Sequence, residues 1–163
     1  MAAPQAATPD TSEFAFGAAE SRDNLADASG FERAVEYLGM NSAVRVAAVV
    51  DFDGLEVASL GRAGYEPDRW SPFALSMFDN NSVIFSSYGK DVPQKVELLF
   101  DDLRVECRLI GHLFLLIVAE RHDDELLGVR VNQACEMIEK YTSERYSPEL
   151  FASMEGTDVP SPE

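Results

Sequence analysis

The chain of 163 residues predicts an α+β domain: a five-stranded antiparallel sheet with flanking helices, in the order helix, strand, strand, helix, three strands, helix. Three observations carry this. The apolar spacing switches between helical and alternating several times. The pair Asp53-Gly54 divides two alternating runs, as a tight hairpin does. Three strand-like runs, KVELLF, LRVECRLI and HLFLLIVAE, then follow one another with only turn residues between them, too few for parallel crossovers.

Each element has its own signal. Phe31, Val35 and Leu38 recur at helical spacing and predict a first helix over 23–40, stopped at Gly39 with Asn41 just beyond. In VRVAAVVDFDGLEVASLG, Val44, Val46, Ala48 and Val50 alternate. A two-residue turn at Asp53-Gly54, with positive φ at both, predicts strands over 44–51 and 55–60. From 67 to 88 the period is helical again. Of the three later runs, the second alternates Val105, Cys107 and Leu109 against Arg104, Glu106 and Arg108. The third is apolar on both sides, as a central strand covered on both faces would be. Asp101-Asp102 and Gly111-His112 fall where the turns belong. Asp123 or Asp124 is placed to cap a last helix, with Leu127, Val131, Ala134, Ile138 and Tyr141 on its apolar stripe, ending near Arg145 before Pro148.

Composition separates a core from two tails. Residues 1–22 and 147–163 lack periodic hydrophobicity and read as flexible tails, the second strongly acidic, around a domain over 23–146. With 29 acidic and 13 basic side chains the formal charge is −16, and the stretch 31–146 still holds twenty acids against twelve bases. A charge of this sign repels phosphate backbones and anionic membrane surfaces, which with no local basic patch argues against nucleic-acid binding. The longest apolar stretch, 113–119, is far short of the ~20 residues of a membrane span. No basic region followed by an apolar run opens the chain, so no signal peptide is read. Cys107 and Cys135 are too far apart in sequence for a metal motif and form no disulfide framework; buried thiols in a reducing cytosol fit them best.

Catalytic chemistry is missing. His112 and His122 have no cysteine or second histidine at ligand spacing. Asp51-x-Asp53-Gly54 resembles the start of a calcium loop, but the positions that need Gly and Glu hold Glu56 and Arg62. No phosphate-cradling glycine loop and no nucleophile elbow occurs, and the Ser86-Ser87 pair sits in a predicted helix far from any histidine. The sequence therefore predicts no catalytic residue, no metal site and no cofactor.

The second helix is the informative feature. Trp70, Phe73, Met77, Ile84 and Tyr88 lie along one stripe, and Leu75, Phe78, Ser82 and Phe85 along another. One stripe can pack on the chain's own sheet. The other must be covered by a neighbouring helix, a tail or a second molecule, because soluble monomers rarely expose such a patch. Burying a side chain of this size contributes roughly 1.5–3 kcal/mol. The reading preferred here is a self-complementary dimer through this helix and the adjacent strand edge, with a partner docking across the paired helices.

The hairpin VRVAAVVDFDGLEVAS, the run KVELLF…LRVECRLIGHLFLLIVAE and the helix opening LLGVRVNQACEMI together resemble the Roadblock (dynein light chain) domain, over residues 29–145. The residues that carry the likeness are Asp51, Asp53, Gly54, Leu55 and Ser59 of the hairpin, then Leu127, Gly128 and Arg130. The chain departs from the family in having one residue, Val129, between Gly128 and Arg130 where many relatives have two, and in a bulkier second helix. The resemblance implies a Roadblock/longin/profilin-like fold, no enzymatic activity and a dimer, homo- or heteromeric. For bacterial MglB-like members it also implies a role as GTPase-activating protein for a small Ras-like polarity GTPase. There, two subunits bind one GTPase and reposition its own catalytic residues. Arg62 and Arg69, beside the loop before the second helix, are the arginines placed to face such a partner. The alternatives are a Roadblock-type scaffold without effect on nucleotide turnover, its acidic tails tethering basic partners, and a PAS- or GAF-like sensor. The sensor needs convergent polar groups that the aliphatic strands do not offer.

Overall fold

The computed structural model describes residues 29–122 and 125–145. The two expected tails, the stretch 23–28 of the expected first helix and the capping candidates Asp123 and Asp124 lie outside them. Among the described residues the elements are α1 (Gly30–Gly39), β1 (Val44–Asp51), β2 (Glu56–Gly61), α2 (Pro67–Ser87), β3 (Lys95–Leu99), β4 (Leu103–Ile110), β5 (Leu113–Glu120) and α3 (Glu125–Arg145). The expected α+β class and element order hold.

All strand pairs are antiparallel and the sheet order is β2-β1-β5-β4-β3. β1 and β5, the two most aliphatic runs, therefore sit in the middle, while β2 and β3 form the edges. In β5, 114–119 are all buried, because both faces of the strand are covered. On one face α1 and α3 pack against Val44, Ala47, Val49, Leu115, Ile117 and Ala119. On the other, α2 packs against Val46, Ala48, Val50, Leu116 and Val118. The alternation expected for β1 holds for Val46, Ala48 and Val50, but Val44 falls into the opposite core, because the β1–β5 register shifts between Val44 and Val46.

Helix α1 begins at Gly30, where Ser29 closes a capping box: its hydroxyl accepts from the Glu32 backbone N–H at 3.2 Å, and the Glu32 carboxylate accepts from the Ser29 N–H at 2.7 Å. The hairpin also differs from expectation. Among the described residues none other than glycine has positive φ, so Asp53 does not adopt it; Gly54 does, at +81°. The Gly54 N–H donates to the Asp51 carbonyl and the Asp51 N–H to the Leu55 carbonyl, giving a three-residue loop with glycine in the left-handed position. The Asp51 carboxylate fixes it by accepting from the backbone N–H groups of Asp53 and Leu55, both at 2.9 Å. This side-chain hydrogen bonding replaces the two-residue turn that the Asp-Gly pair suggested.

Candidate functional site

Helix α2 begins with Pro67 in its first turn and Asp68 near its positive end, and at 21 residues is about 31 Å long. Its buried residues are Ser71, Ala74, Met77 and Phe78. The core-facing line thus takes Met77 from one predicted stripe and Phe78 from the other, with two small residues before them. Ser71 and Ala74 let the helix approach β1 and β2 closely, and the Ser71 hydroxyl donates to the Glu56 carboxylate at 2.8 Å. Phe78 packs on Phe114 of β5 at 4.8 Å between ring centroids, and Phe52 from the hairpin meets Phe114 edge-on at 5.0 Å.

The remaining large residues of the helix divide in two. Trp70 and Phe73 meet edge to face at 6.0 Å and are half-buried against the α2-side core. Further along, Val83, Ile84, Phe85 and Tyr88 are 74%, 53%, 37% and 75% exposed. This second half of the helix has left the sheet. Of the seven residues expected at an interface, the fold takes Met77 and Phe78 into its own core, holds Trp70 and Phe73 at the rim, and leaves Ile84, Phe85 and Tyr88 open.

The helix lies over β2, β1 and β5. On the same face, Val96, Leu98, Leu103 and Leu109 of β3 and β4 are only partly buried beside it. Strand β3 pairs on one side alone among the described residues, so its outer backbone edge is open for pairing. These rim residues escaped the sequence reading. The alternation in KVELLF marks Val96 and Leu98 as a face, but only the strand order makes that face an edge.

The two candidate arginines have different fates. The Arg62 guanidinium donates from Nε to the Val44 carbonyl at 2.7 Å, and from one terminal nitrogen to those of Gly39 and Asn41 at 2.8 and 3.3 Å. It stitches the end of α1 to the start of β1 and is not presented to a partner. Arg69 is exposed, ion-paired to Glu66 at 2.7 Å, on the wall of an open cleft of about 450 Å³ with Tyr65, Trp70 and Phe73.

Elsewhere the polar chemistry is structural. On β4, Glu106 is almost fully buried; burial pushes its carboxyl up, but hydrogen bonds and charge from Arg108 and Arg104 outweigh this and hold it below the usual carboxylate range. Burial, helped by the Glu106 charge, pushes the Cys107 thiol up to about 12; Cys135 is also raised, first by burial. Arg130 stacks on the Tyr37 ring at 4.9 Å and donates to the Tyr37 carbonyl at 3.1 Å, pinning α3 to α1. His112 meets the edge of Phe52 and His122 is exposed. Among the described residues no group of three or more His, Cys, Asp or Glu could hold a metal ion, and no helix is long and apolar enough to cross a membrane.

No family model matches the chain, and no curated protein matches it in sequence. Solved structures do. Myxococcus xanthus MglB is similar with a TM-score of 0.62 at 12% identity, over 82% of this chain and 93% of that one. The gliding protein MglB from Thermus thermophilus gives 0.60 at 17%, over 72% and 93%. A Roadblock/LC7 domain from Streptomyces avermitilis gives 0.58 at 19%, over 68% and 95%. At such identities the likeness is one of fold, and it is the fold that the hairpin and final-helix motifs implied.

Proposed function

We propose that this chain, a Roadblock/LC7 fold by its structure, is a non-enzymatic, dimeric regulator that binds a small Ras-like GTPase in the cytoplasm and changes its rate of GTP hydrolysis or its nucleotide state. The observation that carries the proposal is the row Ile84, Phe85 and Tyr88 left exposed on the free half of α2, in a sheet whose β3 has a strand partner on one side alone among the described residues. A second copy related by a two-fold axis covers both at once, since α2 then lies beside its equivalent and β3 extends the sheet. Burying each of these side chains contributes roughly 1.5–3 kcal/mol, enough together to favour the pair. The likeness to MglB structures supports the choice of a GTPase as partner.

In this reading the Roadblock-like domain runs over 23–146. The GTPase docks across the paired α2 helices, near Arg69, Trp70 and Phe73. Regulation comes from favouring the GTPase conformation whose own residues are aligned, a population shift set by differential affinity. It does not need an arginine finger, and Arg62 is committed to backbone carbonyls. The test is light scattering of the protein alone and with a small Ras-like GTPase loaded with GTP or GDP, followed by hydrolysis and exchange assays. The expected result is a dimer, binding that depends on the nucleotide, and an altered rate. Binding with neither rate changed would replace the regulator by the scaffold reading, and a monomer that binds no GTPase would overturn both.

A further inference from the structure

On β3, Val96 and Leu98 pack toward α2, so Lys95, Glu97 and Leu99 lie on the opposite face of the sheet. There the β3–β4 register sets Lys95 directly opposite Arg108, and Glu97 directly opposite Glu106. Cation meets cation and acid meets acid. Opposite charges meet only on the diagonals or along one strand: Lys95 lies 3.4 Å from Glu106 and 3.2 Å from Glu97, and Arg104 lies 2.6 Å from Glu97. Two rows therefore cross the strands, one of cations and one of carboxylates. Both end at the outer edge of β3 with Lys95 and Glu97 exposed.

The backbone limits how a strand can add there. The Leu109 N–H donates to the Gln94 carbonyl and the Phe100 N–H to the Leu103 carbonyl, so even-numbered positions turn their peptide groups toward β4. Those of Lys95, Glu97 and Leu99 point outward. A second copy adding antiparallel about a two-fold axis must then set odd positions opposite odd ones. With Lys95 opposite itself, cations face cations. With Glu97 opposite itself, the Glu97 and Glu106 carboxylates of both copies fall in one row. With Glu97 opposite Leu99, the carboxylate faces an apolar side chain. With Lys95 opposite Glu97, each row of cations runs into the other copy's row of carboxylates, twice by symmetry.

We propose that β3 of a second copy of this chain joins in this last alignment, with Lys95 opposite Glu97 in both directions and Val96 on the axis. This alignment rests on the dimer proposed above and specifies its partner: each strand carries both halves of the charge match, which suits it to its own copy. Pro93, without an N–H, closes the paired stretch. The junction weakens with salt.

Light scattering of the full chain over a dilution series tests it. Lys95→Glu and Glu97→Lys should each weaken self-association roughly tenfold, because like charges then stand opposite each other twice. An equal mixture of the two variants should dimerise like the unaltered chain, since one copy brings two carboxylates and the other two ammonium groups. A second measurement keeps the charges intact. Cys107 stands opposite Val96, so Val96→Cys is made with Cys107→Ala; it should give a disulfide-linked dimer on mild oxidation, and Leu98→Cys with Cys107→Ala should not. A dimer indifferent to both reversals, or one linked through Leu98→Cys instead, overturns the alignment and leaves the dimer standing. Reversals that tighten association also overturn it, and make Lys95 and Glu97 guards of the edge. A monomer at every concentration overturns the dimer itself, and slow amide exchange along β3 in that monomer assigns the edge to a segment of the same chain.

Discussion

Arg108 Nε stands 2.6 Å from the buried carboxylate of Glu106, two residues away on the same face of β4, while Arg104 bonds the other oxygen and Lys95 lies 3.4 Å off on β3. Asn132 of α3 accepts from Arg108 at 2.8 Å, and an ionic lattice fills this part of the sheet face in place of apolar side chains. Glu106→Gln should cost about 1.5–3 kcal/mol at pH 7, the worth of hydrogen bonds to charged groups. The folded-state pKa is depressed, so this stabilisation is present above the unfolded value of about 4.3 and disappears as pH falls through the lower folded value. Denaturation midpoints of the two proteins should therefore converge below about pH 4.

A Cβ at residue 30 would sit 2.3 Å from Cγ of Tyr141. Gly30→Ala is expected to lower stability by about 1–3 kcal/mol through overpacking, despite the better helix propensity of alanine. Combined with Tyr141→Ala it should cost less than the sum of the two single changes, which a double-mutant cycle in urea will show.

Arg62 and Arg69 should separate cleanly. Arg62→Ala breaks bonds to three carbonyls and should cost about 1.5–3 kcal/mol. Arg69→Ala, on an exposed ion pair, should stay within about 0.5 kcal/mol. If the chain stimulates a GTPase, Arg69→Ala should retain the stimulation within a few-fold. A loss of ~10³ or more would mean an arginine finger and sink the population-shift account.

The two halves of α2 predict opposite phenotypes. Met77→Ala and Phe78→Ala should destabilise the fold by about 2–5 kcal/mol. Ile84→Asp and Tyr88→Asp should leave thermal stability of the isolated subunit within about 0.5 kcal/mol. The same two changes should halve the mass seen by light scattering.

With its thiol raised to about 12, Cys107 should resist thiol reagents at pH 8 until the chain unfolds, when it should label at the rate of a free cysteine. Above about pH 8.5 the unfolded chain gives up this proton while the folded one keeps it, so stability should decline as pH rises from there.

Much of this molecule was legible in order. The alternation in VRVAAVVD, the two-sided apolar run of β5 and the stripe of Leu127, Val131, Ala134 and Ile138 are local patterns, and burial follows them because one face must meet a core. The Asp-Gly signal located the hairpin but not its loop, since the Asp51 carboxylate competes for the backbone N–H groups and makes a three-residue turn. On α2, counting large side chains misled: Ser71 and Ala74 define the inner face because small residues allow close approach to the sheet.

By itself the sequence determined which segments form strands and helices, that a sheet covered on both faces would result, and that the second helix carries more apolar surface than one packing face uses. Only the tertiary structure decided which of those side chains stay outside, that β3 is an edge, and that Arg62 serves backbone carbonyls of α1 and β1. Periodicity is a property of neighbours in the chain. Exposure and partner choice are set by strand order and by where a helix runs off its sheet, which depend on contacts between residues far apart in sequence.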